Sequence, residues 1–191
     1  MKDLSLHILD ISGNSIRANA KNINISIVES IKNNLIELEI TDDGTGMNEQ
    51  MLSNVRDPFF TTRKTRRVGM GIPLLAQNAE QAGGVFTIKS TPGKGTSVYA
   101  SFKYNNIDSL PIGDMPATLI SIISGLNNTE LSFVYKTDDN IYQFNTVEIK
   151  NILEDINLND PGVLNYLKAM FYNEFNKLRT NAKETIYNSY K

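Results

Sequence analysis

Cysteine is absent from the 191 residues. That excludes disulfides, thiolate metal sites and cysteine nucleophiles, and it suits a reducing cytoplasm. No charge excess is present either: 19 basic residues face 21 acidic ones, for a formal net charge of -2. Nothing global therefore points to nucleic acid or to an acidic membrane surface. Long hydrophobic runs are missing as well. The longest lies near Ala117–Leu126, short of the roughly 20 residues that cross a bilayer. The start, Met1-Lys2-Asp3, lacks a signal-peptide pattern. There is no internal repeat and no low-complexity tract. What is present is an ordinary core-forming composition, with 40% hydrophobic and 21% charged residues. The expectation is a soluble, cytoplasmic chain of one medium domain or two small ones.

Periodicity supplies the elements. Leu4 to about Asn19 predicts a helix, with Leu4, Ile8, Ile11, Ser15 and Ala18 on one small or apolar stripe. His7, Asp10, Asn14 and Arg17 form a second, polar stripe at the same spacing. Ile23, Ile25 and Ile27, then Ile36, Leu38 and Ile40, alternate with polar residues. They predict two half-buried strands turning at Lys32-Asn33-Asn34. A short helix is expected near Asn48–Asn54, a loop over Asp57–Arg67, and a helix from Gly71 to Ala82 stopped by Gly83-Gly84. Val85–Ser90 and Thr96–Phe102 predict a second hairpin around Thr91-Pro92-Gly93-Lys94-Gly95.

Composition shifts after Tyr104, and Asn105–Asp108 reads as a linker. Beyond it the pattern predicts a helix near Met115–Ser124 and strands at Leu131–Lys136 and Ile141–Ile149. Helices follow at Asn151–Ile156 and from Pro161 to Asn176 or beyond, the last started by the Asp160 cap and Pro161. Met115, Leu119, Ile122 and Ile123 are expected to face a core. Phe171, Tyr172 and Phe175 read as core rather than as a partner surface.

Four short patterns carry chemistry. Asp10 and Asn14 point the same way, one turn apart. A carboxylate there can take a proton from water, and an amide oxygen can ligate magnesium, which prefers hard oxygens. Arg17, on the next turn, can meet a phosphate oxygen. Asp42-Asp43-Gly44-Thr45-Gly46-Met47 follows a strand, where a carboxylate can accept from an exocyclic amine while glycines admit a flat ring. Gly69-Met70-Gly71 opens a helix, whose free N–H groups suit phosphate. Gly93-Lys94-Gly95-Thr96 ends a hairpin turn in a hydroxyl. Each has an ordinary alternative: a solvated helix face, an Asp-Gly turn, a helix start and a tight turn.

Their order and context resemble the nucleotide-binding boxes of the superfamily of DNA gyrase, heat-shock chaperones, histidine kinases and mismatch-repair ATPases. Asp57-Pro58-Phe59-Phe60-Thr61-Thr62 adds a resemblance to the phenylalanine box of the histidine-kinase branch. The similarity covers about residues 4–104. The fold it implies is a Bergerat-type two-layer α/β sandwich, with a mixed, mainly antiparallel sheet covered on one face by helices. Residues 105–191 are expected to form a small α+β extension.

The resemblance implies roles residue by residue. Asn14 ligates magnesium and Arg17 contacts phosphate. Asp42 accepts the adenine amine, helped by a bound water near Thr96. Gly44 and Gly46 shape the purine slot, and Met47 lines it. Gly69 and Gly71 cover the phosphates. Asp57–Arg67 forms the lid, with Arg63 or Lys64 reaching the nucleotide and Lys64 preferred. A lid that closes on triphosphate accounts for this basic run with fewer assumptions than nucleic acid does. Asp10 occupies the catalytic position, where glutamate or asparagine is usual, so its reach is shorter by one methylene. His7, one turn earlier, stands where some gyrase-like members carry a histidine that orients the base; an ordinary polar helix residue is the alternative.

The chain starts too close to this helix to hold an upstream histidine-bearing domain, so autophosphorylation by the usual route is not expected. Magnesium and ATP are the expected ligands, and a slow ATPase that regulates a protein partner is the expected function. A kinase acting in trans on serine or histidine and a nucleotide-gated binding module are the alternatives. The Asp10-Ile11-x-x-Asn14-Ser15 helix also resembles small bacterial ATP-binding proteins, some encoded beside iron hydrogenases, which implies a regulatory or maturation partner. Neither nucleic acid nor membrane is an expected partner. For residues 105–191, docking of a partner or of a second copy as a homodimer is the role left open.

Overall fold

The computed structural model describes the backbone of residues 1–55 and 71–189, with side chains to residue 178. The first helix, α1 (Leu4–Arg17), starts where the Asp3 carboxylate accepts from the Leu6 N–H at 3.0 Å. Two further N–H groups of its first turn, on Leu4 and Ser5, donate to the carbonyls of Pro111 and Ile112. Donors that a helix start leaves orphaned are thus satisfied by chain from beyond the linker. Leu4, Ile8 and Ile11 bury the apolar stripe.

The two alternating segments form β1 (Asn22–Ser30) and β2 (Leu35–Asp42), antiparallel, with Ile25 opposite Ile40 and Ile27 opposite Leu38. Next come α2 (Glu49–Asn54), α3 (Gly71–Gln81) and the hairpin of β3 (Phe86–Thr91) with β4 (Gly95–Phe102). After the linker the chain adds α4 (Met115–Gly125), β5 (Glu130–Thr137), β6 (Ile141–Asn145), α5 (Thr146–Leu153) and α6 (Pro161–Ser189). The strands make one six-stranded sheet in the order β3-β4-β2-β1-β5-β6. Every pairing is antiparallel except that of β1 with β5.

Inward residues of the sheet and the apolar faces of α1, α3, α4 and α6 share one core. The far face of the sheet carries the polar members of each alternation, such as Asn24, Glu39 and Lys136. That division of faces is what a two-layer sandwich demands of strands with one wet side. Asp138 ties the two central turns together. Its carboxylate accepts from Ser30 Oγ at 2.6 Å and from the N–H groups of Ile31 and Lys32 at 2.8 and 3.1 Å.

Two expectations need correction. Alternation from Ile141 to Ile149 predicts one strand, yet β6 ends at Asn145 and α5 begins at Thr146. Local chemistry overrides the pattern. The Asn145 side chain caps the helix by accepting from the Val147 N–H at 2.8 Å. The buried Thr146 hydroxyl accepts from the Leu131 N–H at 2.8 Å and donates to Glu130 at 2.6 Å. The helix expected at Asn151–Ile156 therefore starts earlier and ends at Leu153. Tyr172 is the second correction. Phe171 and Phe175 are buried against Tyr135, Phe144 and their neighbours. Tyr172, one step round the helix, points outward instead and donates to Asp114 at 2.8 Å. Adjacent helical positions do not share a face.

Candidate functional site

A cavity of about 430 Å³ opens between α1, the ends of β2 and β4, α2 and the start of α3. Ile40 and Val98 form its apolar floor, and Asp10, Asn14 and Arg17 line it from α1. Helical spacing of three and four puts these three side chains along one wall.

Asp42 closes the opposite end, where β2 finishes. Its Oδ2 accepts from Ser15 Oγ at 2.6 Å and its Oδ1 from the Gly44 N–H at 2.9 Å. Each carboxylate oxygen keeps acceptor capacity after one such bond, so the group is held in orientation and can still receive an amine. Ser15 is buried on the small-residue stripe of α1. In the sequence it belongs to that packing stripe, and only its step next to Asn14 signals a polar role.

The following turn is fixed by close backbone approaches. Gly46 has φ +65, and a Cβ there would fall 2.1 Å from the Thr91 carbonyl oxygen. Gly44 does not line the cavity; it lies beneath the turn, where a Cβ would come within 2.8 Å of the Ala18 carbonyl oxygen. Thr96 lies directly across the ladder from Asp42, and its hydroxyl pairs with Ser90 Oγ at 2.9 Å. Ser90 also accepts from the Met47 N–H at 2.8 Å and donates to the Gly95 carbonyl at 2.9 Å. Ser90, which the sequence left unremarked, thus links Met47 and Thr96 on two sides of the cavity.

Met47, Met51 and Val55 line the cavity on the α2 side, and α2 contains no buried residue. Its apolar stripe therefore faces the cavity instead of the core.

At the α1–α3 end, Gly71 begins α3 with its Cα against Asp10. A Cβ at position 71 would fall 1.9 Å from Asp10 Oδ2. Arg17 Nη2 donates to Asn14 Oδ1 at 2.5 Å. His7 is not on the cavity wall; it is wholly buried, with Nε2 3.2 Å from the Asn78 amide nitrogen of α3. The Gly71 backbone is beside the ring, yet among the described residues Nδ1 finds no partner in hydrogen-bond geometry. Burial pushes the His7 pKa below its ordinary value, outweighing the charges of Asp10 and Asp3. The residue is thus no member of a solvated polar face.

Of the sequence-predicted residues, the cavity gathers Asp10, Asn14, Arg17, Asp42, Gly46, Met47, Gly71 and Thr96. Arg63, Lys64, Gly69 and the Phe59-Phe60 pair lie outside the described residues. Among the described residues, no group of three or more His, Asp or Glu side chains is arranged to hold a metal ion. Asn14 and Asp10 offer only hard oxygens, the donor type magnesium takes when phosphates complete its shell.

A family model, the histidine kinase-, DNA gyrase B- and HSP90-like ATPase, matches residues 2–106. Sensor protein DegM of Bacillus sp. (strain B21-2) is 33% identical over 88 residues, covering 46% of this chain and 23% of that protein. Sensor histidine kinase ZraS of Escherichia coli (strain K12) is 30% identical over 90 residues, covering 47% of this chain and 19% of that protein. The chain thus spans about a fifth of the length of these relatives. The crystal structure of the N-terminal domain of a DNA repair protein aligns with a TM-score of 0.52 at 17% identity. It covers 75% of this chain and 52% of that one, a likeness of fold. No described helix is long and apolar enough to cross a membrane.

Proposed function

This chain belongs to the histidine kinase-, DNA gyrase B- and HSP90-like ATPase family, and from that premise we propose that it hydrolyses ATP slowly and uses the cycle to regulate a protein partner. The observation that carries this reading is Asp42, a carboxylate held by Ser15 and Gly44 at one end of a cavity whose other end presents Asp10, Asn14 and Arg17.

In this reading the Asp42 carboxylate accepts a hydrogen bond from the exocyclic amine of adenine, a bond that a carbonyl at that ring position could not donate. Ile40, Val98 and Met47 sandwich the ring by apolar contact. Arg17 binds a phosphate oxygen with a charge-assisted hydrogen bond. Asn14 Oδ1 would hold magnesium, which would supply positive charge to offset that of the phosphates. Asp10 takes a proton from the attacking water, in the role of general base. Gly71, having no Cβ, keeps the α3 N-terminus close to both the carboxylate and the phosphates. His7 acts through α1 and α3 by fixing their packing, as a positioning residue. The 57–67 segment, with Arg63 or Lys64, closes on bound nucleotide, and a partner senses the closed form.

Transfer of the phosphoryl group to a partner's serine or histidine is the second reading. It is favoured by the likeness to sensor histidine kinases across the same half of the chain.

Thermal unfolding with and without magnesium-ATP, on wild type and Asp42→Asn, tests the pocket. At a ligand concentration a hundredfold above Kd the stabilisation is about 2.7 kcal/mol. The wild type is expected to shift and Asp42→Asn to lose the shift; equal shifts in both would refute the adenine assignment. Phosphate release from wild type and Asp10→Asn then separates turnover from gating. Turnover that survives in Asp10→Asn removes the general-base role. Phosphate appearing only when a partner is present, and on that partner, selects the kinase reading.

A further inference from the structure

The Ser90 hydroxyl stands at a junction of three polar groups. Its oxygen accepts from the Met47 N–H at 2.8 Å, its proton goes to the Gly95 carbonyl at 2.9 Å, and Thr96 Oγ1 lies 2.9 Å away. A hydroxyl has one proton and two lone pairs. The Met47 N–H can only donate and the Gly95 carbonyl can only accept, so together they use the proton and one lone pair. The lone pair that remains faces Thr96, and Thr96 is then the donor of the Ser90–Thr96 bond. With the direction reversed, Ser90 gives up its bond to Gly95, and the junction makes two bonds in place of three.

The direction of that proton decides what Thr96 shows the pocket. Among the described residues Thr96 Oγ1 has no other hydrogen bond. With its proton given to Ser90, it offers lone pairs only. Asp42, directly across the ladder, offers a carboxylate already oriented by Ser15 and Gly44. Opposite residues on paired strands hold their Cβ atoms about 5 Å apart on one face, and both residues line the cavity. A ligand group bonded to Asp42 therefore lies beside Thr96, against a wall made of acceptors. An amine, with two N–H groups, suits such a wall. A carbonyl oxygen meets lone pairs from both residues.

We propose that Ser90 is a specificity-setting positioning residue that acts through Thr96. By taking the Thr96 proton it makes Thr96 an acceptor beside Asp42, and the pocket thereby favours 6-amino over 6-oxo purine nucleotides more strongly than Asp42 alone would. Met47 N–H and the Gly95 carbonyl lock this polarity, because each holds Ser90 in its present sense. The proposal rests on the ATP reading above.

The test is displacement of mant-labelled ADP from the full chain by unlabelled ADP and IDP, whose bases carry an amine or a carbonyl at the same ring position. The ratio of the two affinities is the readout, since a merely structural loss lowers both. Wild type is expected to prefer ADP. Ser90→Ala frees the Thr96 proton to turn toward the carbonyl, and the preference should narrow by about threefold to tenfold, the worth of one hydrogen bond. Ser90→Cys, close in size but weak in hydrogen bonding, should narrow it in the same direction, and it carries the test if circular dichroism shows Ser90→Ala unfolded. In a Thr96→Val background neither change should move the ratio, because the residue through which Ser90 acts is gone. Equal losses for ADP and IDP in the Ser90 variants overturn the proposal and leave Ser90 as a support for the Met47 turn. So does a shift in the ratio that persists beside Thr96→Val, or a wild type that binds IDP as well as ADP. No displaceable binding of mant-ADP, or binding untouched by Asp42→Asn, is a different failure, that of the ATP reading itself.

Discussion

Ser15 Oγ donates to Asp42 Oδ2 at 2.6 Å, joining the buried face of α1 to the end of β2. The bond crosses 27 positions of sequence and fixes a carboxylate at the apolar end of the pocket. Ser15→Ala keeps the volume nearly unchanged and removes only the donor. The variant should lose about 1–2 kcal/mol of stability, the usual range for a hydrogen bond to a charged group. Its nucleotide affinity should fall by roughly threefold to tenfold, because Asp42 can then rotate. Urea denaturation and nucleotide titration measure the two effects, and an unchanged affinity would show that Gly44 alone holds Asp42.

Gly71→Ala tests the approach of α3 to Asp10. The added Cβ would lie 1.9 Å from Asp10 Oδ2, and the carboxylate, as the end of a side chain, is what must yield. Phosphate release should drop at least about tenfold, as expected when a general base is moved off line. Nucleotide affinity should change far less. Parallel loss of both would place the damage in α3 rather than in Asp10.

His7 gives the fold a pH dependence whose sign follows from burial. Its folded pKa lies below the ordinary value of 6.5, so the unfolded chain binds the proton more readily. The contribution is fully present above pH 6.5 and is lost as pH falls toward the lower folded value. His7→Gln should flatten the melting temperature as pH falls below 6.5 relative to wild type. Identical slopes for the two proteins in that window would assign the dependence to other groups.

Asp138→Ala removes the acceptor for Ser30 Oγ and for two backbone N–H groups. The cost should be about 1–3 kcal/mol, since these donors cannot all find new partners. Hydrogen exchange should speed first at the β1–β2 turn. A loss confined to the β5–β6 turn would mean that the link is not shared.

Much of this arrangement was legible in the residues. The alternation Ile23, Ile25, Ile27 and Ile36, Leu38, Ile40 predicts both central strands and their buried face, because side-chain direction has a strict period of two. Spacing on α1 likewise puts Asp10, Asn14 and Arg17 on one wall. What was not legible depends on distance in space. Ser15 reads as packing until β2 brings Asp42 to it, and His7 reads as polar surface until α3 covers it with Asn78. The strand predicted through Ile149 failed for a local reason. Period two persists across Asn145 and Thr146, but a helix cap and a buried hydroxyl decide the backbone there.

The parallel pairing of β1 with β5 bears on the order of synthesis. Residues 22–29 must wait for residues 130–137 before their second edge is covered. While the chain is still emerging, the pocket-forming strands exist with that edge bare, a template that any extended segment could occupy. A pause in translation before residue 130 would prolong that exposure, and one after residues 130–137 have left the ribosome would not. Slow codons or a truncation within 105–129 should therefore turn a pocket-bearing chain into an aggregating one.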